Sequence, residues 1–118
     1  MNKEEKIALL KLAYLKKRAI DPELKQEVLT YFIQDFISLK TEQNESFLIQ
    51  GEIINHMLYL YLLKEGLPIK PVNYKKILVK LGFEYYRSHG ITYYKGLKLK
   101  DDIFKLYIIN KNKSLADF

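Results

Sequence analysis

The chain contains no cysteine, which excludes disulfides and thiolate metal sites and leaves the redox compartment unread. No apolar run approaches the roughly 18 residues of a membrane-spanning helix. Charges interrupt the apolar residues of the N-terminal stretch MNKEEKIALLKLAYLKK, unlike the uninterrupted block of a signal peptide. The expectation is a soluble, cytoplasmic protein with no membrane partner. Histidine is scarce: His56 lies in an apolar segment and reads as a satisfied core or interface residue, and His89 lies in a turn. Neither belongs to a His/Cys/carboxylate group at metal-ligand spacing. No serine or threonine stands in a recognisable nucleophile setting, so we expect no catalysis, no metal and no cofactor. Arginine is also rare, represented only by Arg18 and Arg87.

What is present is a chain of 118 residues, 48% hydrophobic, enough for one globular domain with its own core. Charge is divided unevenly along it. Residues 1–65 carry nine Lys/Arg against ten Asp/Glu, and residues 66–118 carry eleven against four, so the whole excess of +6 lies in the C-terminal half. Such an asymmetry points to a polyanionic partner, of which nucleic acid is the commonest.

Taken in order, residues 3–19 read as a helix with Ile7, Leu10, Ala13 and Tyr14 on one side and Lys16-Lys17-Arg18 in its last turn. Asp21-Pro22-Glu23 is a helix start, with Asp as cap and Pro at the first position. The helix after it, about 22–39, carries Leu24, Val28, Phe32, Phe36 and Leu39 as its core stripe. Thr41–Ser46 reads as a polar, acidic loop. A third helix runs to Glu65 and stops at Gly66, with Gly51 either inside it or at a break. Leu67-Pro68-Ile69-Lys70-Pro71 is a stiff connector between consecutive helices. At the other end, Asp101-Asp102 caps a tail, IFKLYII, that reads as helix, with a third strand as the alternative. Asn110–Ser114 reads as a solvated loop or fraying end.

The stretch Pro71–Lys100 organises the rest. Tyr74, Ile77, Leu78 and Leu81 fall at i, i+3, i+4 and i+7, the buried face of a short helix, while Asn73, Lys76 and Lys80 fall on another. Gly82 caps that helix, and two aromatic-rich strands follow around a turn at Ser88-His89-Gly90. Helix, turn, helix and hairpin predict a mostly α (α+β) fold. The expected architecture is a winged helix-turn-helix over 47–100, with N-terminal helices over 1–40 and a short C-terminal extension over 101–118 in a single domain. Lys75, Lys76 and Lys80, with Asn73, are the candidate contacts on the second helix of the pair, which in this motif meets the major groove. On the wing the candidates are Tyr86, Arg87, Ser88, His89, Tyr94 and Lys95. Phe83, Leu97 and Leu99 are assigned to the core and Tyr85 and Tyr93 to the hairpin's buried face; Tyr86 and Tyr94 stay open between that face and the surface. Lysine binds phosphate as a point charge, and only Asn73 on this helix suits base readout, so backbone contact with weak sequence preference is expected. Tyrosines interleaved with cations suit single strands, whose bases stack on rings.

The segments YFIQDF, LYLYLLKEGLPIKP, YKKILVKLGF and YYKGLKLK together resemble the winged-helix domain at the C-terminus of primase-helicases of phages, plasmids and large DNA viruses. The resemblance covers residues 28–100. The ATPase that precedes that domain in the family has no counterpart here, and no GxxxxGK[ST] loop is present. The resemblance therefore implies a DNA-contacting module on its own, an accessory in replication of a phage, plasmid or mobile element. Single-stranded or junction DNA is the expected partner, with a replicative helicase, primase or polymerase as a further one and self-association open. Two rivals remain: a dimeric transcriptional regulator on palindromic duplex sites, and an adaptor that docks a replication enzyme through exposed aromatics.

Overall fold

A computed structural model describes the backbone of residues 1–116 and the side chains of residues 1–111. It is an α+β domain of five helices and one three-stranded antiparallel sheet. Helix α1, Lys3–Leu15, is capped by Asn2, whose Oδ1 accepts from the Glu5 amide at 2.8 Å. It ends at Leu15, so Lys16, Lys17 and Arg18 lie beyond it; Lys17 takes a left-handed φ of 52°. Helix α2, Pro22–Lys40, opens on the expected Asp21 cap, with the carboxylate accepting from the Glu23 amide at 3.0 Å. Its buried arc is Val28, Leu29, Phe32, Ile33, Phe36 and Ile37, centred on Leu29 and Phe36. Leu39, expected in the core stripe, is 58% exposed because it lies at the edge of that arc, in the last turn before the chain leaves the helix.

The segment Thr41–Ser46, expected as a loop after α2, is the first part of strand β1, Thr41–Gln50. Thr41 makes the junction: its hydroxyl donates to the Ile37 carbonyl at 2.6 Å, satisfying an end carbonyl of α2 as the backbone turns extended. The strand has little apolar pattern because it is an edge strand held by backbone pairing with β3, Ile91–Leu99. Thr41, Glu42 and Gln43 oppose Leu99, Lys98 and Leu97, and Leu48, Ile49 and Gln50 oppose Lys95, Tyr94 and Tyr93. Between them Asn44–Phe47 leaves the ladder; there Asn44 Oδ1 accepts from both the amide and the hydroxyl of Ser46 at 2.9 Å.

Helix α3, Gly51–Lys64, begins at Gly51 rather than crossing it. A side chain there would stand 2.7 Å from Thr92 Oγ1, so glycine is what lets the helix start against β3. The helix is closed off at Gly66, which takes a positive φ of 77° as the Leu67 amide reaches back to the Leu62 carbonyl at 2.9 Å. Leu67 and Ile69 then bury almost completely, the Tyr74 hydroxyl donates to the Ile69 carbonyl at 2.5 Å, and the connector is fastened to the helix that follows. That helix is a 3₁₀ turn at Pro71–Asn73 followed by α4, Tyr74–Lys80. Tyr74, Ile77 and Leu78 are buried and Leu81 half-buried, as the spacing predicts, and Phe83 N–H donates to the Leu78 carbonyl across Gly82.

Strand β2, Glu84–Ser88, pairs with β3 through a two-residue turn at His89 and Gly90, both with positive φ, and β3 lies between β1 and β2. Helix α5, Asp101–Ala116, takes up IFKLYII as helix and continues through Asn110–Ser114, where a loop or fraying end was expected, and it packs Ile103 and Tyr107 into the core. The final two residues of the C-terminal extension lie outside the described residues. Among the described residues no helix is long and apolar enough to cross a membrane.

Candidate nucleic-acid interface

The candidate residues separate into three groups. On α4, which packs against α2 and β2, the outer face leaves Lys75, Lys76 and Lys80 exposed. They fan out around the helix. Lys75 leans onto the hairpin, with its Nζ 3.9 Å from the centre of the Tyr85 ring. Lys80 stands on the other flank, beside a groove lined by Glu27, Thr30 and Tyr31 of α2. Lys76 projects between them. Asn73 donates one Nδ2 hydrogen to the Lys70 carbonyl at 3.2 Å, which holds the amide beside the 3₁₀ turn and, among the described residues, leaves its second N–H and its Oδ1 uncommitted.

The hairpin register decides the rest. Directly opposed residues share a face, so Tyr85 sits with Tyr94 and Tyr86 with Tyr93. The expectation that Tyr85 and Tyr93 share the buried face is therefore corrected: they lie on opposite faces. Tyr94 is 2% exposed, edge-on to Tyr85 at 5.3 Å, and burial with its tyrosine neighbour pushes its hydroxyl pKa up to about 12. It is a core residue and leaves the candidate surface. Arg87, two residues from Tyr85 on β2, shares the Tyr85 face and so lies on the side of the ribbon to which Lys75 is drawn.

On the opposite face Tyr86 and Tyr93 stack, with centroids 5.4 Å apart and planes 22° from parallel. Ser88 belongs to this face, as does Lys95, which opposes Glu84 on one neighbour and Leu48 on the other. His89 is exposed at the turn with a φ of 51°, a conformational role consistent with its place in the loop. Lys75 and Arg87 thus lie on the α4 side of the hairpin, Lys80 lies across α4 toward α2 with Lys76 between, and residues 86, 88 and 95 face the other way. Tyr93 was not among the sequence candidates. The His89-Gly90 turn already implied its pairing with Tyr86, since a two-residue loop sets which positions oppose one another.

Electrostatics favour the α4 side. Among the described residues the ion pairs are Lys3–Asp35, Lys6–Glu27, Lys11–Glu65 and Lys98–Glu42. Three of the four neutralise cations of α1, whereas no described carboxylate lies within ion-pair distance of Lys75, Lys76, Lys80 or Arg87. Elsewhere, His56 is half-buried and edge-on to Tyr107 at 5.6 Å, and among the described residues its Nε2 has no hydrogen-bond partner. Among the described residues no group of three His, Asp or Glu side chains is placed to hold a metal ion. No protein-family model, curated protein or solved structure matches the chain.

Proposed function

We propose that the chain is a non-enzymatic DNA-binding module of the winged helix-turn-helix type, with α4 as the groove-facing helix and the β2–β3 hairpin as the wing. The order of elements supports this: α2, β1, α3, α4, β2 and β3 follow one another as in a winged helix, with β3 between β1 and β2. The observation that carries the functional reading is the placement of Lys75, Lys76, Lys80 and Arg87, unpaired, on α4 and the adjoining side of the ribbon. Three lysines spread around α4 and one arginine on the adjoining ribbon meet phosphates, the lysines as point charges and the guanidinium as a planar fork, and among the described residues none is diverted into a salt bridge. Affinity then comes from the DNA backbone. The resemblance to primase-helicase winged-helix domains suggests a setting in replication of a phage, plasmid or mobile element.

A second surface favours single strands. The stacked Tyr86–Tyr93 pair on the opposite face, with Lys95 beside it, offers ring faces and a cation to unstacked bases. A protein that holds duplex under α4 and a strand along this face suits a junction.

The test is a salt series of binding to duplex and single-stranded DNA of mixed sequence. Each phosphate contact contributes about −0.9 to the log–log slope for duplex and about −0.7 for single strands. Replacing Lys76, Lys80 and Arg87 together with alanine flattens the duplex slope by about 2 to 3. An unchanged slope removes these residues from the interface.

A further inference from the structure

The residues of α4 and its leading turn that point furthest from the core include two valines. Val72, on the 3₁₀ turn, is 86% exposed, and Val79 is 47% exposed. They stand seven residues apart, about two helical turns, and so lie on one ridge opposite Tyr74, Ile77 and Leu78. Lys75 and Lys76 lie between them and Lys80 follows. One exposed valine needs no explanation. Two on one ridge, interleaved with unpaired lysines, form an amphipathic reading head: cations at its flanks and methyl groups along its crest. Helix formation does not account for them, since β-branched residues lower helix propensity, and neither contributes to the core.

In the major groove the apolar group that a base edge presents is the C5-methyl of thymine. The valines are separated by about 11 Å, close to three base-pair steps of about 3.4 Å. We infer that Val72 and Val79 pack on the C5-methyl groups of thymines about three base pairs apart, giving the protein a preference for A·T-rich duplex without one cognate sequence. The lysines hold the phosphates on either side, and their contribution is blind to sequence. This inference rests on the reading of α4 as the groove-facing helix.

Replacing thymine by uracil removes the methyl and leaves every hydrogen-bonding group of the base pair in place. The full chain is titrated with an A·T-rich duplex, the same duplex carrying uracil, and G·C-rich duplexes carrying cytosine or 5-methylcytosine. Uracil weakens binding about four-fold per lost methyl contact, and about fifteen-fold where both valines are engaged. Methylating cytosine at C5 strengthens binding by the same factor. The Val72→Ala, Val79→Ala double variant binds thymine and uracil duplexes alike, with its salt dependence unchanged. Both positions are exposed, and a thermal melt by circular dichroism checks that the variant is folded. Equal affinity of the parent chain for thymine and uracil duplexes, with steep salt dependence retained, overturns the methyl contact and leaves DNA binding by α4 standing. Discrimination that survives in the double variant also overturns it. Absence of salt-dependent duplex binding by the parent chain overturns both readings.

Discussion

The approach of α3 to β3 sets where the helix pair sits relative to the hairpin, and Gly51→Ala probes it directly. A Cβ at position 51 would lie 2.7 Å from Thr92 Oγ1, well inside van der Waals contact, but 3.6 Å from Thr92 Cβ and the Thr92 carbonyl oxygen, an ordinary distance. One atom is therefore responsible for the clash. Forcing a methyl into a packed seam costs about 1–3 kcal/mol, and the release of glycine's backbone freedom returns less than about 1 kcal/mol at the first helical position. Gly51→Ala should destabilise the fold by about 1–2 kcal/mol. In a Thr92→Ala background the offending oxygen is gone and only the gain remains, so the same substitution should stabilise by about 0.5 kcal/mol. Urea unfolding of the four proteins, followed by circular dichroism, reads both values and their coupling. A Gly51→Ala effect of the same sign and size in both backgrounds would refute a contact through Oγ1 as the reason for glycine.

Two further predictions follow from the aromatic residues. Burial raises the hydroxyl pKa of Tyr74, with Tyr59 contributing, and that of Tyr94 to about 12, while unfolded tyrosine ionises near pH 10. Above about pH 10 the unfolded state has lost protons that the folded state keeps, so stability is complete below that pH and falls as it rises toward about 12, by about 1.4 kcal/mol per pH unit for each group. Urea unfolding at stepped alkaline pH should show the decline, and Tyr94→Phe should make it shallower; stability unchanged up to pH 11 would contradict it. On the opposite face of the hairpin, Tyr86→Ala and Tyr93→Ala should each weaken binding to single-stranded DNA by about 1–3 kcal/mol while leaving duplex binding unaltered, measured by fluorescence anisotropy. Equal losses on both forms of DNA would place these rings outside a strand-stacking surface.

Much of the architecture was legible in the residues because its signals are local. Asp21-Pro22, Gly66, Gly82 and His89-Gly90 begin and end their elements through backbone chemistry that acts within a few positions. The spacing of Tyr74, Ile77 and Leu78 named the buried side of α4, and with it the three lysines left outside. What depends on distant partners was not legible. Thr41–Ser46 has the composition of a loop yet belongs to a strand, because β3 pairs with Thr41–Gln43 before the break in the ladder and with Leu48–Gln50 after it through backbone hydrogen bonds, which carry no side-chain signature. Tyr94 and Tyr93 look alike in the chain, yet one is buried and the other stacks with Tyr86 on the opposite face, because successive residues of a strand point to opposite sides and the pairing chooses which. The cationic helix was thus a property of the sequence by itself. Which side of the ribbon meets it, with Arg87 toward α4 and Lys95 away, was decided only when the strands paired, since register is a relation between segments that the order of residues in either one does not contain.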